Sequence, residues 1–419
     1  MRITIHRGTD QIGGCVTEIC YGEHKLFIDL GEQLPGTHST EELAVEGLTK
    51  GDTTKSALLI THYHADHIGE LLKAKPEVPV YMGETAWKIY QHYEQRLTYI
   101  PETEKALKHK QVLERIDNVN TFTAGKTFCW GNMQVTPLMI DHSAFDAYMF
   151  VIEADGVRLL YTGDFRGHGF RSKALPKLIA KYAKDIDYIV SEGTNVYRTV
   201  ENESEHALQG RFTEEFRKCK YNFVLTSSTN IDRIFSLYHA AQRASRIFVC
   251  DHYQHQLMKI VAKSHENYTM FYKTRDTVYD ISRKKNGMFL IPDKLLRLMK
   301  RKGFCMPIRD NEYFWNAVAQ FDGDDDQAVY YSMWRGYVDA QHPAYNPDLK
   351  EKLDHYPDYK YMHTSGHCDI KTLAKLFRQV KPRKGIIPIH TEHPERFETL
   401  FGSIARIILL QDGETYDCN

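Results

Sequence analysis

Several things are scarce in this sequence, and each scarcity narrows the reading. Net charge is only −1 over 419 residues, with 54 basic and 55 acidic side chains. No global charge excess points to nucleic acid or a membrane surface, so any such role must rest on local patches. No apolar run approaches the roughly 20 residues that span a bilayer. The opening Met1-Arg2-Ile3-Thr4-Ile5-His6 lacks the apolar stretch of a secretory signal. The eight cysteines form no CxxC pair, and several, such as Cys20 and Cys250, sit in apolar surroundings. Reduced, structural thiols in a cytoplasmic protein are therefore expected. There is no internal repeat and no low-complexity tail. What remains is an ordinary globular composition, 42% hydrophobic and 26% charged, long enough for two domains.

Histidine is the exception to this ordinariness: there are 21, and they cluster. The densest group is Thr61-His62-Tyr63-His64-Ala65-Asp66-His67, between the apolar run Ala57-Leu58-Leu59-Ile60 and the helix-like Ile68-Gly69-Glu70-Leu71-Leu72. This reads as a buried strand, a ligand-bearing loop and a helix over about 67–74. In an extended segment His62 and His64, two apart, point to one side. Two imidazoles plus a carboxylate–imidazole pair suit two cations a few ångströms apart, the arrangement of two-metal hydrolysis. The alternative is a polar loop with incidental histidines.

Along the chain the same device recurs: an apolar strand whose C-terminal end carries one polar residue. Residues 2–6, 15–20 and 24–29 read as strands, the third ending at Asp29, which by itself suits a turn. Residues 31–56 read as a loop, 78–81 as a strand and 84–98 as an amphipathic helix. Strand 134–140 leads to Asp141-His142-Ser143. A hairpin over 147–153 and 157–162 turns at Asp155-Gly156 and leads to Asp164. A helix near 173–184 precedes strand 186–192, which ends at Glu192. Residues collected at strand ends are how layered sheets assemble a site. After residue 195 helices and strands alternate: helix 204–219 with Ser204 as N-cap, strand 222–226, helix 230–244, strand 246–250 and helix 253–264. This rhythm predicts a small parallel-sheet domain. Residues 265–360 are less regular, with helix 293–302, strand 328–331 and the acidic loop Asp322–Asp326, which lacks EF-hand spacing and reads as a solvated turn. Helix 369–379 and the buried run Gly385-Ile386-Ile387-Pro388-Ile389-His390 repeat the opening device.

His62, His64, His142 and Asp164 make a sensible shell for one cation. Asp66, His67, Asp164 and His390 make one for a second, with Asp164 shared. This order and spacing, with the HxHxDH motif present in full, resembles the metallo-β-lactamase superfamily over 1–195 and 366–410. The resemblance implies an αββα sandwich holding two divalent metals, Zn2+ before Mn2+. The interval from Asp164 to His390 exceeds what one sandwich needs, so an α/β domain is expected to be inserted. That resembles the β-CASP branch, whose members act on nucleic acids. The implied organisation is 1–195 and 363–419 for the sandwich and 196–362 for the β-CASP-like insertion. Glu192 in Ser191-Glu192-Gly193-Thr194-Asn195, His367 in His363-Thr364-Ser365-Gly366-His367 and His390 match that branch's acidic and histidine motifs. Gln11-Ile12-Gly13-Gly14, Ser227-Ser228-Thr229-Asn230-Ile231-Asp232-Arg233 and the His-x-Ser-Gly-His form resemble the ribonuclease J family. The chain ends soon after its last helix and strand, which is nearer the short archaeal-type members.

Roles follow as expectations. Asp66 would accept a hydrogen bond from the attacking water as well as bind metal. Asp29 and Glu192 would orient ligand imidazoles. His367 would bind the scissile phosphate or assist the leaving oxygen. His363 and Ser365 would grip a neighbouring phosphate. Thr229, Asn230 and Arg233 open a helix whose N–H groups suit an anion, where the family binds the nucleic-acid 5′ end. The basic runs Arg283-Lys284-Lys285, 294–302 and 371–384 suit a polyanion, although solvated helix faces explain such runs too. The resemblance thus implies a metal-dependent ribonuclease, 5′→3′ exonucleolytic with endonucleolytic cleavage as a second mode. RNA is the expected partner, with single-stranded DNA as the alternative and no membrane; a homodimer is one option for an assembly that the sequence leaves open. A small ester or lactam hydrolase and a non-catalytic RNA-binding subunit are the competing readings.

Overall fold

The computed structural model describes residues 1–37, 43–264, 270–274, 276–282 and 284–418. Arg283, counted above in a basic run, lies outside them. The backbone separates into two compact units, Met1–Asn202 with Gly366–Asn419, and Glu203–Ser365.

The first unit is an αββα sandwich. Its seven-stranded sheet runs in the order Glu414–Asp417, Arg2–Arg7, Val16–Tyr21, His24–Ile28, Ser56–Leu59, Val80–Gly83, Asn120–Phe122. Its six-stranded sheet runs Gly385–Ile389, Tyr188–Glu192, Val157–Tyr161, Ala147–Ala154, Met133–Ile140, Phe128–Trp130. Between the sheets lies one apolar layer, including Ile3, Ile19, Leu26 and Leu59 from the first sheet and Phe150, Ile152 and Val190 from the second. The second sheet's other face packs on helices Leu175–Tyr182, Ile370–Val380 and Arg396–Phe401. Helix Glu84–Leu97 buries Ala86, Ile89 and Tyr90. Strands such as Ser56–Leu59 and Tyr188–Glu192 are buried at every position, because both faces of the sheet are covered. Such strands read as continuous apolar runs, which is why they stood out in the sequence.

One element differs from its expectation. The helix after the histidine motif is not 67–74. It covers Ala65–Ile68, inside the motif, and a separate 3-10 turn follows at Leu71–Lys73. The cause is tertiary: the Leu30–Glu32 loop takes the helix's hydrogen bonds. Leu30 N–H donates to His67 O (2.9 Å), Glu32 N–H to Ala65 O (3.0 Å) and Glu70 N–H to Leu30 O (3.0 Å). Gly31 is required at this crossing, since a Cβ there would lie 1.7 Å from Asp66 O. Gly13 serves similarly, at φ +78 with its would-be Cβ 2.9 Å from Asp66 Cβ.

The second unit is a fully parallel six-stranded sheet in the order Val278–Ile281, Ile247–Asp251, Phe304–Ile308, Tyr221–Leu225, Gln327–Tyr331, Lys360–Tyr361. Helices Glu205–Lys218, Ile231–Arg243 and His252–Ala262 connect with it, and Ser204, Asn230 and Asp251 cap them through side chains. Three elements beyond the sequence expectation fill the 304–354 interval: strand Phe304–Ile308 and helices Glu312–Ala319 and Pro347–Asp354. The acidic loop is a turn, with Asp324 Oδ1 accepting from Asp326 N–H at 3.0 Å. Among the described residues, no helix is long and apolar enough to cross a membrane, and all eight cysteines are free.

Candidate metal centre

Strand ends and the turns after them bring the predicted ligands together within the first unit. Ser56–Leu59 delivers His62, His64, Asp66 and His67; Met133–Ile140 delivers His142; Val157–Tyr161 delivers Asp164; Gly385–Ile389 delivers His390. Two of the turns are held in left-handed backbone, Asp29 at φ +62 and His390 at φ +50. A non-glycine residue in that region costs free energy and persists only where its surroundings over-determine it. Here they do: Asp29 N–H donates to Leu59 O (2.8 Å) and His390 N–H to Gly8 O (2.7 Å).

Three groups of ligand atoms converge, each with its atoms within 4.8 Å of one another: His62, His64 and His142; Asp66, His67, Asp164 and His390; and Asp164, Glu192, His367 and His390. In the first group His62 Nε2 and His142 Nε2 lie 3.1 and 3.2 Å from His64 Nδ1. His142 Nδ1 donates to Gly366 O at 2.8 Å. Its neutral ring therefore presents the Nε2 lone pair to the site. Burial holds His62 and His142 well below the usual histidine range and His64, partly buried, down to about 4. Three neutral imidazoles thus converge.

In the second group His67 Nδ1 donates to Asp29 Oδ2 at 2.7 Å, and its Nε2 lies 3.1 Å from Asp164 Oδ2. Carboxylates thus face both nitrogens of the ring, and the second contact calls for positive charge, either a proton on Nε2 or a cation held in its place. Burial opposes charging His67, yet Asp164, Asp29 and Asp66 outweigh it and pull the imidazole well above its ordinary value. The same demand appears on the carboxylates. Burial pushes Asp164 up, but His390, His67 and His367 carry it well below the carboxylate range; Asp66 is lowered likewise, chiefly by His67 against burial. Asp164 Oδ2 also lies 3.7 Å from His390 Nε2 and 3.9 Å from His62 Nε2, so one oxygen stands within reach of both groups. His390 Nε2 lies 3.4 Å from Asp66 Oδ2. Imidazoles and carboxylates together make a donor set for divalent cations, and His67, His142 and His390 are each held by a hydrogen bond at Nδ1.

Asp29 is both a turn residue and a buried partner: besides His67 it accepts from Thr61 N–H (2.7 Å) and Thr61 Oγ1–H (2.8 Å). Burial raises its carboxyl above the ordinary value, against the pull of His67. Glu192 meets His367, with Oε2 3.2 Å from Nδ1, while Oε1 accepts from Phe165 N–H at 3.1 Å. Burial lowers His367, but Glu192 and Asp164 outweigh it and bring it to about 9. Nδ1 is turned to Glu192, which leaves Nε2 as the nitrogen facing away from it.

Sequence reasoning missed three contributors. Thr194 Oγ1 lies 2.8 Å from His390 Nδ1 and 3.2 Å from His367 Nδ1, coupling the two rings. Its only signal was its place two residues after Glu192. Asn195 Nδ2 donates to Cys368 O at 3.1 Å. Asp141 is locked by fully buried Arg166 at 3.0 Å and accepts from Arg171 N–H at 3.1 Å, holding the strand end that carries His142. Nothing in the sequence marked that pair.

The remaining predicted residues lie in the second unit. Asn230 caps its helix by accepting from Arg233 N–H (3.1 Å), and Thr229 Oγ1 lies 2.8 Å from Ser227 Oγ. His363 Nδ1 donates to Ser332 O at 3.1 Å. Arg233 departs from its expectation as an anion-binding side chain. It is fully buried, with Nη2 2.9 Å from Glu205 Oε1, and its Nη1 bonds Ser332 Oγ. A guanidinium neutralised by a buried carboxylate belongs to the core, not to a ligand. Among the basic runs, Lys371 pairs with Glu201 and Arg383 with Asp187, while Lys284 lies 4.4 Å over the Tyr313 ring.

Comparison with known proteins accords with this centre. Residues 37–218 match a domain described as beta-lactamase superfamily domain, and residues 358–399 match the Zn-dependent metallo-hydrolase RNA specificity domain. Ribonuclease J of Mycoplasma pneumoniae is 21% identical over 424 residues, covering 92% of this chain and 67% of that protein. Ribonuclease J of Mycoplasma genitalium is 22% identical over 240 residues, 54% of this chain and 39% of that protein's own length. A crystal structure of a protein of unknown function from Enterococcus faecalis V583 superposes with a TM-score of 0.72 over 99% of both chains at 18% identity, a likeness of fold.

Proposed function

We propose, for a chain that joins a metallo-β-lactamase-type domain to an RNA-specificity segment, that it is a metal-dependent ribonuclease. In this reading it hydrolyses RNA phosphodiester bonds from the 5′ end, with endonucleolytic cleavage as a second mode, in a cytoplasmic setting. The observation that carries the reading is the convergence of His62, His64 and His142 beside Asp66, His67, Asp164 and His390, with Asp164 Oδ2 within reach of both groups and His367 held beside them by Glu192 and Thr194. Imidazoles and carboxylates gathered this closely are a donor set for divalent cations. In this reading the tethered His367 meets the substrate. The similarity to ribonuclease J and the RNA-specificity match support RNA as that substrate.

Two divalent cations, when bound, would lower the pKa of water toward neutrality and offset charge on phosphoryl oxygens. The imidazole-rich first group supports zinc over manganese. His62, His64 and His142 would hold one cation, and Asp66, His67 and His390 the other, with Asp164 shared. Asp66 is the most exposed carboxylate of the centre, at 16%, and would accept the proton of the attacking water. Asp29 keeps His67 in the tautomer that presents Nε2. His367 would direct Nε2 to a non-bridging or leaving oxygen of the scissile phosphate, with Glu192 and Thr194 fixing its ring. His363 and Ser365, four and two positions before His367, would grip an adjacent phosphate, and Thr229 and Asn230 would present helix N–H groups to a 5′ phosphate. Residues 196–362 form the β-CASP-like insertion in this reading.

The test is cleavage of end-labelled, 5′-monophosphorylated RNA by zinc- or manganese-loaded protein, beside single-stranded DNA. The wild type should shorten RNA, and the double variant His64→Ala/Asp66→Ala should leave it intact. A double variant that still cleaves would overturn the reading. Hydrolysis of esters with no action on RNA would replace it with a small-molecule hydrolase.

A further inference from the structure

An exposed aromatic group in the second unit has no part in the chemistry above. It follows strand Gln327–Tyr331. Met333 and Val338 pack inward against the apolar core, while Trp334, Arg335 and Tyr337 face solvent, Trp334 at 37% and Tyr337 at 38% exposure. Large exposed aromatics are informative where small apolar ones are not. These are rigidly presented. Tyr331 Oη–H donates to Trp334 O at 2.7 Å, and Asn346 N–H donates to Tyr337 O at 2.9 Å. The indole lies against Gly336, where an added Cβ would meet its ring at 2.5 Å. Tyr337 and His342 stand edge-on to it, at 5.5 and 4.5 Å with interplanar angles of 84° and 81°.

The group carries positive charge and continues toward the proposed phosphate grip. Arg335 lies 4.1 Å over the Tyr361 ring, and among the described residues no carboxylate bridges it. The Tyr361 ring is 6.2 Å from that of His363, the first histidine of the His-x-Ser-Gly-His segment. An aromatic platform with an unneutralised guanidinium, leading to the histidine of the proposed phosphate grip, matches the alternation of bases and phosphates along a single strand. A duplex, whose bases are stacked on one another, offers it nothing to stack on.

We propose that Trp334, Tyr337 and Arg335 form a stacking platform for the bases of a single-stranded RNA segment lying outside the scissile bond. The proposal rests on the nuclease reading for the identity of the strand. The partner is fixed by chemistry: π-faces for the indole and phenol, and a phosphate or base plane for the guanidinium. An apolar peptide would leave Arg335 unmatched.

The experiment titrates whole protein, kept in EDTA so that no strand is cut, with a fluorescent 20-nucleotide single-stranded RNA and with the same sequence as a duplex. Anisotropy is read across salt concentrations. Base–aromatic stacking predicts that Trp334→Ala/Tyr337→Ala raises the single-strand Kd about tenfold or more, with the salt slope unchanged because no phosphate contact is lost. Trp334→Phe, which keeps a ring and guards against misfolding, should recover most of the affinity. Arg335→Ala should flatten the slope by about 0.7, the share of one phosphate on a single strand. Duplex affinity should not move. A single-strand Kd within twofold of wild type in the double variant, an equal loss for duplex, or no single-strand binding by the wild type overturns the platform. A wild type that binds through these rings but never cleaves RNA leaves the platform standing and removes the nuclease reading. One that cleaves with the double variant's affinity unchanged removes the platform alone.

Discussion

Asp29→Asn is the sharpest perturbation of the metal centre, because it changes one atom and leaves the backbone alone. Asp29 sits at φ +62, a conformation asparagine tolerates and alanine does not. The carboxylate accepts three hydrogen bonds, from Thr61 N–H and Oγ1–H at 2.7 and 2.8 Å and from His67 Nδ1–H at 2.7 Å. Asparagine supplies one oxygen. If that oxygen keeps Thr61 N–H, the amide group faces His67 as a donor. His67 must then accept at Nδ1 and carry its proton on Nε2, toward Asp164 Oδ2 at 3.1 Å. That proton lies where a cation would be held. Loss of such an orienting partner costs 10–100-fold in metal affinity, about 1.4–2.8 kcal/mol. The metal-free fold should lose about 1–3 kcal/mol from the mismatched buried polar groups. Competition with a chromophoric chelator, read as two successive affinities, should show the loss at one cation and leave the His62, His64 and His142 group unchanged. Urea unfolding in EDTA gives the stability difference. If both metal affinities stay within threefold of wild type, or if the imidazole-only group is the one that weakens, the tautomer argument is wrong.

Two further outcomes follow from particular contacts. Arg233→Met strands Glu205 in the core of the second unit without its guanidinium, which should cost about 3–5 kcal/mol. The double variant Arg233→Met/Glu205→Leu should recover most of that in urea unfolding, and a single-variant loss below about 1 kcal/mol would show the pair to be incidental. Gly31→Ala drives a methyl into Asp66 O, 1.7 Å from the ideal Cβ position. It should destabilise by about 1–3 kcal/mol or more and weaken retention of the cation held by Asp66 and His67 against EDTA. Unchanged metal retention at wild-type stability would mean that the Leu30–Glu32 loop yields freely.

The sequence and the tertiary structure contributed differently, and particular residues show where the division lies. His62, His64, His142, Asp164 and His390 were legible because each closes a short apolar run, and a run buried on both faces of a sheet is a local signal. Ser204 was legible as a cap for the same reason: an N-cap is decided within four residues. The helix end at Ile68 was not, since the Leu30–Glu32 loop, more than 30 positions earlier, takes the hydrogen bonds that would have extended it. Strand Phe304–Ile308 hid in a stretch with a proline inside, and only its parallel pairing with Tyr221–Leu225 reveals it.

By itself, then, the sequence determined which chemistry the chain carries: the kinds of ligand, their order, and the strand ends that present them. Only the tertiary structure decided which imidazole nitrogen faces inward, that Thr194 joins His367 to His390, that Arg166 closes on Asp141, and that Arg233 is buried rather than offered to an anion. The reason is physical. Side-chain type and strand burial are set by near neighbours, whereas a tautomer, a buried ion pair or an exposed indole depends on partners tens to hundreds of residues away, whose positions exist only once the sheets have formed.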